Sequence, residues 1–160
     1  MPLKPGLEWG LRSAGCIRSA VESLSGAGLG KIIGSVDARG RPIIRLERPD
    51  RSDDLLAIVD TGFNGELLMS ARDAAAHGFS SIGVLSAAEV AGGVIQQVAE
   101  ARATIRWLDE VRRVELLITQ THSLPRSGDE PVVLIGTKLL APHLLFIDFA
   151  TGTVDIESQE

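Results

Sequence analysis

The sequence reads LLAIVDTGFNG from residue 55 to residue 65, and this stretch joins an apolar run to an acidic turn. Residues 55–59 predict a strand buried on both faces, because a short continuous apolar run bounded by turn residues is typical of such strands. Asp60 follows directly, and Thr61 and Gly62 favour a tight turn after it. The motif therefore places one carboxylate at the edge of the hydrophobic core, partly removed from water.

A carboxylate at such a turn becomes chemically useful when a second one faces it. Two carboxylates about 3 Å apart cannot both ionise, so the pair shares one proton. The ionised member can take a proton from a water molecule, while the neutral member donates one to a substrate carbonyl. Asp-Thr-Gly by itself is a common turn tripeptide, so this hypothesis depends on the elements that surround it.

The remainder of the sequence is typical of a mostly β domain. A second apolar run, residues 132–135, ends at Gly136, and Gly92 and Gly93 predict the tip of a hairpin between two segments of mixed pattern. Further strands are predicted at residues 31–37, 42–47, 67–69, 94–107, 111–119, 144–148 and 153–157.

Helical signals are few. Ser70 and Asp73 have the spacing of a capping box, the residues that follow are mostly good helix formers, and Gly78 ends the segment. One more helical turn is predicted at residues 137–140. Residues 1–30 are rich in Gly, Ser and Ala without a persistent period, so we expect a flexible N-terminal extension there and one compact domain at residues 31–160.

Taken in order, these pieces resemble the retropepsin-like aspartic proteases, in particular their small bacterial members. The resemblance covers most of the chain, from Lys31 to Glu157. It rests on residues 59–65, the hairpin near residues 92–93, residues 134–136 with 139–140 after them, residues 40–42 and the closing hairpin around residues 147–149.

The resemblance implies an all-β fold, a closed barrel of the acid-protease type with one or two short helices. It also implies a homodimer, in which each subunit gives one Asp-Thr-Gly loop to a shared site. The activity expected is that of an aspartic endopeptidase, a hydrolase that cleaves an extended peptide or protein through a water activated by paired Asp60 carboxylates. Neither a cofactor nor a metal is implied.

The same resemblance gives expected roles to individual residues. Asp60 would be the catalytic residue, Thr61 would hydrogen-bond the partner's loop across the two-fold axis, and Gly62 would shape the loop. The flap over the cleft would consist of Ala91, Gly92, Gly93, Val94 and Ile95. The loop would be supported by Leu134, Ile135 and Gly136, the glycine letting the second apolar strand pass close behind it.

Two features depart from the family pattern. Phe63 stands where viral members usually have Ala and pepsin-like ones Ser, and its ring is expected to narrow the pocket. The predicted flap contains no Tyr. Both departures keep a second hypothesis open, in which the chain is a catalytically inactive retropepsin-like domain that binds peptides or mediates dimerisation.

Composition narrows the choice of partners. The net charge is −5 and no block of Lys or Arg exists to follow a phosphate backbone, so nucleic acid is not an expected partner. No apolar run approaches the ~20 residues of a membrane span, so we expect no membrane partner and a cytoplasmic location. Cys16 is the single cysteine, and His77, His122 and His143 lack metal-site spacing.

Overall fold

The computed structural model describes residues 30–83, 85–90, 94–120 and 130–159. The chain order is β1 (Lys31–Val36), β2 (Pro42–Leu46), β3 (Leu55–Val59), β4 (Leu67–Ser70), α1 (Ala71–Ala76), β5 (Leu85–Val90), β6 (Val94–Trp107), β7 (Glu110–Thr119), β8 (Val133–Ile135), α2 (Thr137–Leu140), β9 (His143–Asp148) and β10 (Thr153–Ser158). Of the predicted extension at residues 1–30, residues 1–29 lie outside the described residues.

All ten described strands belong to one sheet, in the order β5-β6-β7-β4-β8-β3-β2-β1-β10-β9. The predicted mostly β fold class, with two short helices, is confirmed. The order has two ends, at β5 and β9, so the pairing does not show the closed barrel that was expected. A backbone hydrogen bond from Arg106 N to Glu47 O, at 2.9 Å, nevertheless links β6 to the end of β2.

The position of β8 is the topological feature that organises the site. β8 lies between β3 and β4, parallel to β3 and antiparallel to β4, so that Leu134 is opposite both Ile58 and Leu68. β3 and β4 are joined by residues 60–66, the segment that contains the Asp-Thr-Gly turn. A strand that enters from far along the chain therefore runs beneath this loop and supports it.

The register separates the sheet into two faces, because residues directly opposite one another on neighbouring strands share a face. The inner face carries the main hydrophobic core, which includes Ile44, Ala57, Leu67, Leu116, Ile135 and Ile156. We name the other face the Asp60 face. The register of the paired strands places these residues on it: Phe146, Ile33, Ile43, Ile58, Leu134, Leu68 and Leu117.

β3 shows how differently the two faces are covered. Its inner-face residues are buried, whereas Leu56 and Ile58 on the Asp60 face are half-buried. The prediction of a strand buried on both faces was therefore wrong. The reason is that the second hydrophobic layer over the Asp60 face covers only part of it.

Capping and ionic contacts fix the connections outside the sheet. The Ser70 hydroxyl accepts a hydrogen bond from the backbone N–H of Asp73 at 3.1 Å, which confirms the predicted start of α1. After the helix, the carbonyl of His77 accepts a bond from the buried guanidinium of Arg48, which also binds Asp53 and lies 5.0 Å from the centre of the Phe79 ring. These contacts hold the loop between β2 and β3 against the end of α1.

Candidate active site

Asp60 lies where β3 ends and the connecting loop begins. Its backbone N–H donates to the carbonyl of Ile135 at 2.9 Å, so the contact with β8 continues one residue beyond the strand. Its side chain is half-buried, and Oδ1 accepts a hydrogen bond from the backbone N–H of Gly62 at 2.9 Å. The carboxylate is thus held against the backbone of the turn that follows it, at the margin of the core, as the sequence motif suggested.

The segment after β8 holds the loop from below through backbone hydrogen bonds. The carbonyl of Phe63 accepts bonds from Thr137, from N at 2.8 Å and from Oγ1 at 3.2 Å. The N–H of Lys138 donates to the carbonyl of Gly65 at 3.2 Å. The N–H groups at the start of α2, which have no partner within the helix, therefore donate to carbonyls of the Asp60 loop. These hydrogen bonds satisfy both the helix N–H groups and the loop carbonyls. Thr137 was not singled out from the sequence.

Phe63 points into the protein and not into the cleft. Its side chain is 1% exposed and belongs to a small second core with Leu68, Val98 and Leu117, against which Leu134 also packs. The expectation that its ring narrows the pocket is therefore wrong. Burial of the apolar ring is favourable, and the apolar side chains beneath the loop provide the surface against which it packs.

Two glycines make room for that ring. A Cβ added to Gly136 would lie 2.5 Å from Phe63 Cδ1 and 2.3 Å from the carbonyl oxygen of Gly65. A Cβ added to Gly65 would meet the Phe63 ring at 2.3 Å. Both distances are far below van der Waals contact, so the close passage of the chain behind the loop requires that these positions have no side chain.

Two apolar side chains lie on the same face of the sheet as Asp60. Ile58 precedes Asp60 by two residues on the same face of β3, and Leu134 is directly opposite Ile58 on β8. Both side chains are half-buried, so each retains exposed apolar surface on this face. Alternation along β3 could have indicated Ile58 from the sequence. The neighbour on β8 depended on a pairing between distant segments.

The similarity of this chain to known proteins lies at the level of the fold. No protein-family model and no curated protein matches the sequence significantly. Among solved structures, the chain is similar to the crystal structure of a retropepsin-like aspartic protease from Rickettsia conorii, with a TM-score of 0.55 and 18% sequence identity. The match covers 82% of this chain and 93% of that one.

The chain has the retropepsin-like fold. At 18% identity the similarity extends to the fold alone. Within this fold, the hairpin predicted as a flap is formed by β5 and β6, whose last described pair is Val90 with Val94. Ala91, Gly92 and Gly93 lie outside the described residues, and Ile95 pairs with Glu89.

The other residues predicted for the site occupy distinct positions around the loop. Thr61 and Gly62 are exposed at its tip, and Ile135 is buried in the inner face beneath it. The structure thus brings Asp60, Thr61, Gly62, Phe63 and residues 134–136 together in one place. Val94 and Ile95, the described residues of the predicted flap, belong to a different part of the sheet, on β6, the strand that also contributes Val98 to the cluster around Phe63.

The described histidines have structural partners. His77 Nδ1 lies 3.0 Å from Asp53 Oδ2, and this hydrogen bond, together with Arg48, lowers the pKa of Asp53 to about 2. His143 Nε2 accepts a hydrogen bond from the Trp107 indole at 3.0 Å, and burial lowers its pKa. His122 lies outside the described residues. Within the described ranges, no three His, Cys, Asp or Glu side chains are arranged to hold a metal.

Neither helix in the described part of the chain has the length and apolar character that a membrane-spanning helix needs.

Proposed function

We propose that this protein is a homodimeric aspartic endopeptidase whose single catalytic carboxylate per subunit is Asp60. The observation that carries the proposal is the Asp60-Thr61-Gly62 turn, held at the end of β3 above β8 within a retropepsin-like fold. One carboxylate in each chain makes the proposed site incomplete without a second copy, since the chemistry needs a pair.

In the proposed mechanism, Asp60 and the partner subunit's Asp60 face each other and share one proton. The ionised carboxylate removes a proton from water as the water oxygen attacks the carbonyl carbon of the peptide bond. The neutral carboxyl donates its proton to the carbonyl oxygen, which gives a neutral gem-diol. Cleavage of the C–N bond then transfers one proton to the amine nitrogen from the first carboxyl. The second carboxylate recovers a proton from the diol, which restores the original pair.

The loop geometry supports this use of Asp60. The Gly62 N–H fixes one carboxylate oxygen, and the hydrogen bonds from Thr137 and Lys138 fix the loop itself. A carboxylate that is already oriented loses little freedom when substrate binds, which favours catalysis. The apolar neighbours Ile58 and Leu134 would accept apolar substrate side chains next to the cleaved bond. An extended peptide beneath the β5–β6 hairpin would complete the complex.

The Asp60 face also supports the proposed pairing of two copies. Ile33, Leu144 and Phe146 lie on this face and are 71%, 53% and 55% exposed. They lie on β1 and β9, on either side of β10, and Phe146 and Ile33 are both opposite Asp155 of β10. Large exposed apolar side chains that share one face of a sheet favour an interaction site there, and the ion pair of Lys31 with Asp155 lies between them. We assign this surface to the second copy, because the proposed chemistry requires one.

The central test is the Asp60→Asn variant, which keeps the shape of the side chain and removes its acid–base chemistry. With a proteome-derived peptide library as substrate and mass spectrometry as readout, we expect cleavage to fall by ~10³-fold or more, with unchanged circular dichroism and dimer mass. The matched control is Asp50→Asn in the exposed loop before β3, for which we expect parental activity. Parental cleavage by a folded, dimeric Asp60→Asn protein would disprove the proposal.

A mixing experiment tests whether the site is shared. Addition of excess Asp60→Asn protein to the parent, with time for subunit exchange, should inhibit cleavage because mixed dimers contain one acid. An Asp60→Asn variant that also carries Leu144→Ser and Phe146→Ser should not inhibit, since it cannot pair. Equal inhibition by both proteins would contradict the assigned interface.

The alternative of an inactive peptide-binding domain was motivated partly by Phe63. Because that ring is buried beneath the loop, it does not obstruct the cleft. Peptide binding without cleavage by the parent protein, under every pH tested, would favour this alternative.

A further inference from the structure

Phe63 contacts two parts of the molecule that the sequence separates widely. Its ring shares a buried cluster with Leu68 of β4, Val98 of β6 and Leu117 of β7. Its own backbone belongs to the loop that carries Asp60. The ring therefore occupies the space between the carboxylate loop and the root of the β5–β6 hairpin.

On the loop side, Phe63 is held at its backbone and at its ring. Its N–H donates to the carbonyl of Asp60 at 3.3 Å, and its carbonyl accepts the two bonds from Thr137. The absence of side chains at Gly65 and Gly136 lets the loop backbone close around the ring. A displacement of the ring must therefore move the backbone three residues from the catalytic acid.

On the hairpin side, the contact is made by Val98, which is fully buried. Val98 is opposite Ser86 on β5 and Thr119 on β7, so it lies at the root of the hairpin where β6 joins the body of the sheet. The four steps along the strand from Val94 to Val98 span about 13 Å. A change in the direction of the hairpin would thus first displace Val98 in its contact with the Phe63 cluster.

We propose that Phe63 is a positioning residue that couples the orientation of the β5–β6 hairpin to the geometry of the Asp60 loop. Close-packed interiors transmit displacements, because side chains without voids between them cannot move independently. The catalytic consequence of this coupling rests on the proposed peptidase function, whereas the mechanical coupling itself does not. In this chain, the large side chain after Asp-Thr-Gly is then a functional part of the loop and not an obstruction.

Hydrogen exchange measured by NMR tests the coupling without any need for activity. The variants are Phe63→Leu and Val98→Ala, with Val154→Ala in the inner core as the matched control. Relative to the control, both variants should raise exchange at the Gly62 amide and at residues 94–97 by ~10-fold or more. Phe63→Leu preserves an apolar side chain, so it keeps the experiment informative if Phe63→Ala does not fold.

The two proposals fail in distinguishable ways. Exchange that rises equally across the sheet in all three variants would overturn the coupling, even if the protein cleaves peptides. Absence of cleavage in the parent, with the selective exchange pattern present, would overturn the peptidase function alone. Where cleavage occurs, Phe63→Leu and Val98→Ala should each lower kcat, and the double variant should lose less than the product of the two effects. A loss of kcat in the double variant equal to the product of the two single effects would contradict the coupling.

Discussion

Both faces of the sheet carry aliphatic residues, but the two faces differ in what covers them. On β8, Ile135 points to the inner face and is fully buried, whereas Leu134 points to the Asp60 face and is half-buried. On β1, Ile32 packs against the main core and Ile33 is 71% exposed. Neighbouring residues of the same chemical type therefore have different roles. Those on the inner face stabilise the fold, whereas those on the Asp60 face remain partly exposed.

This difference explains how a small domain can keep an apolar surface without losing its stability. The inner face alone contains the main core, from Ile44 on β2 to Ile118 on β7. In the described part of the chain, the Asp60 face carries the smaller cluster around Phe63, on β4, β6 and β7. Apolar surface that remains exposed on one face is then available to a substrate or to a second copy of the chain.

The largest effect on stability is expected from Gly136→Ala. The new methyl group would collide with the carbonyl oxygens of Gly65 and Phe63, which approach the added Cβ to 2.3 and 2.5 Å. Relief requires that the loop leave β8 and lose several backbone hydrogen bonds, so we expect a loss of about 4 kcal/mol or more in the free energy of unfolding. Chemical denaturation measures it. A stable Gly136→Ala protein would show that the loop is not supported from behind.

A second prediction compares Ile135→Ala with Leu134→Ala, adjacent residues on opposite faces. Removal of the fully buried Ile135 side chain should cost about 3 kcal/mol, since it leaves a cavity in the main core. Removal of the half-buried Leu134 side chain should cost about 1 kcal/mol but lower kcat/KM for peptides by ~10-fold. Denaturation curves and peptide cleavage distinguish the two. Equal costs in stability would contradict the difference between the faces.

The inner face also contains a histidine whose charge state should affect stability. Burial lowers the pKa of His143 from 6.5, opposed in part by Glu110 and reinforced by Arg112. Because the pKa is lower in the folded state, the stabilising contribution is complete above pH 6.5 and is lost as the pH falls below it. His143→Gln, which keeps an acceptor for Trp107, should lose less stability than the parent between pH 6.5 and 5. Identical pH profiles would contradict this assignment.

The smallest effect on folding is expected from Ile33→Ser. This side chain is largely exposed, so the free energy of unfolding of the monomer should change by less than about 0.5 kcal/mol. The proposed dimer should nevertheless weaken, which analytical ultracentrifugation measures. Ile32→Ser is the matched control, because the neighbouring residue faces the core and should destabilise the fold itself. Unchanged dimer affinity in Ile33→Ser would remove this residue from the interface.

Most local features were predictable because their causes are local. The hairpin of β1 and β2, the capped start of α1 and the closing hairpin of β9 and β10 all lie where turn and cap residues indicated. The Asp60 turn was predictable for the same reason, since an apolar strand followed by Asp-Thr-Gly has few other conformations available. The orientation of Phe63 was not predictable, because its ring packs with residues of β6 and β7, which are far from Phe63 in the sequence.

The sequence by itself determined the strands, the turns and the identity of the one acid at the end of β3, since alternation, capping and glycine placement act within a few residues. Tertiary structure decided which face of each strand is covered, where the Phe63 ring lies and why Gly65 and Gly136 have no side chain. These properties depend on β8 running between β3 and β4. That pairing joins segments separated by most of the domain, and only the packed sheet specifies it.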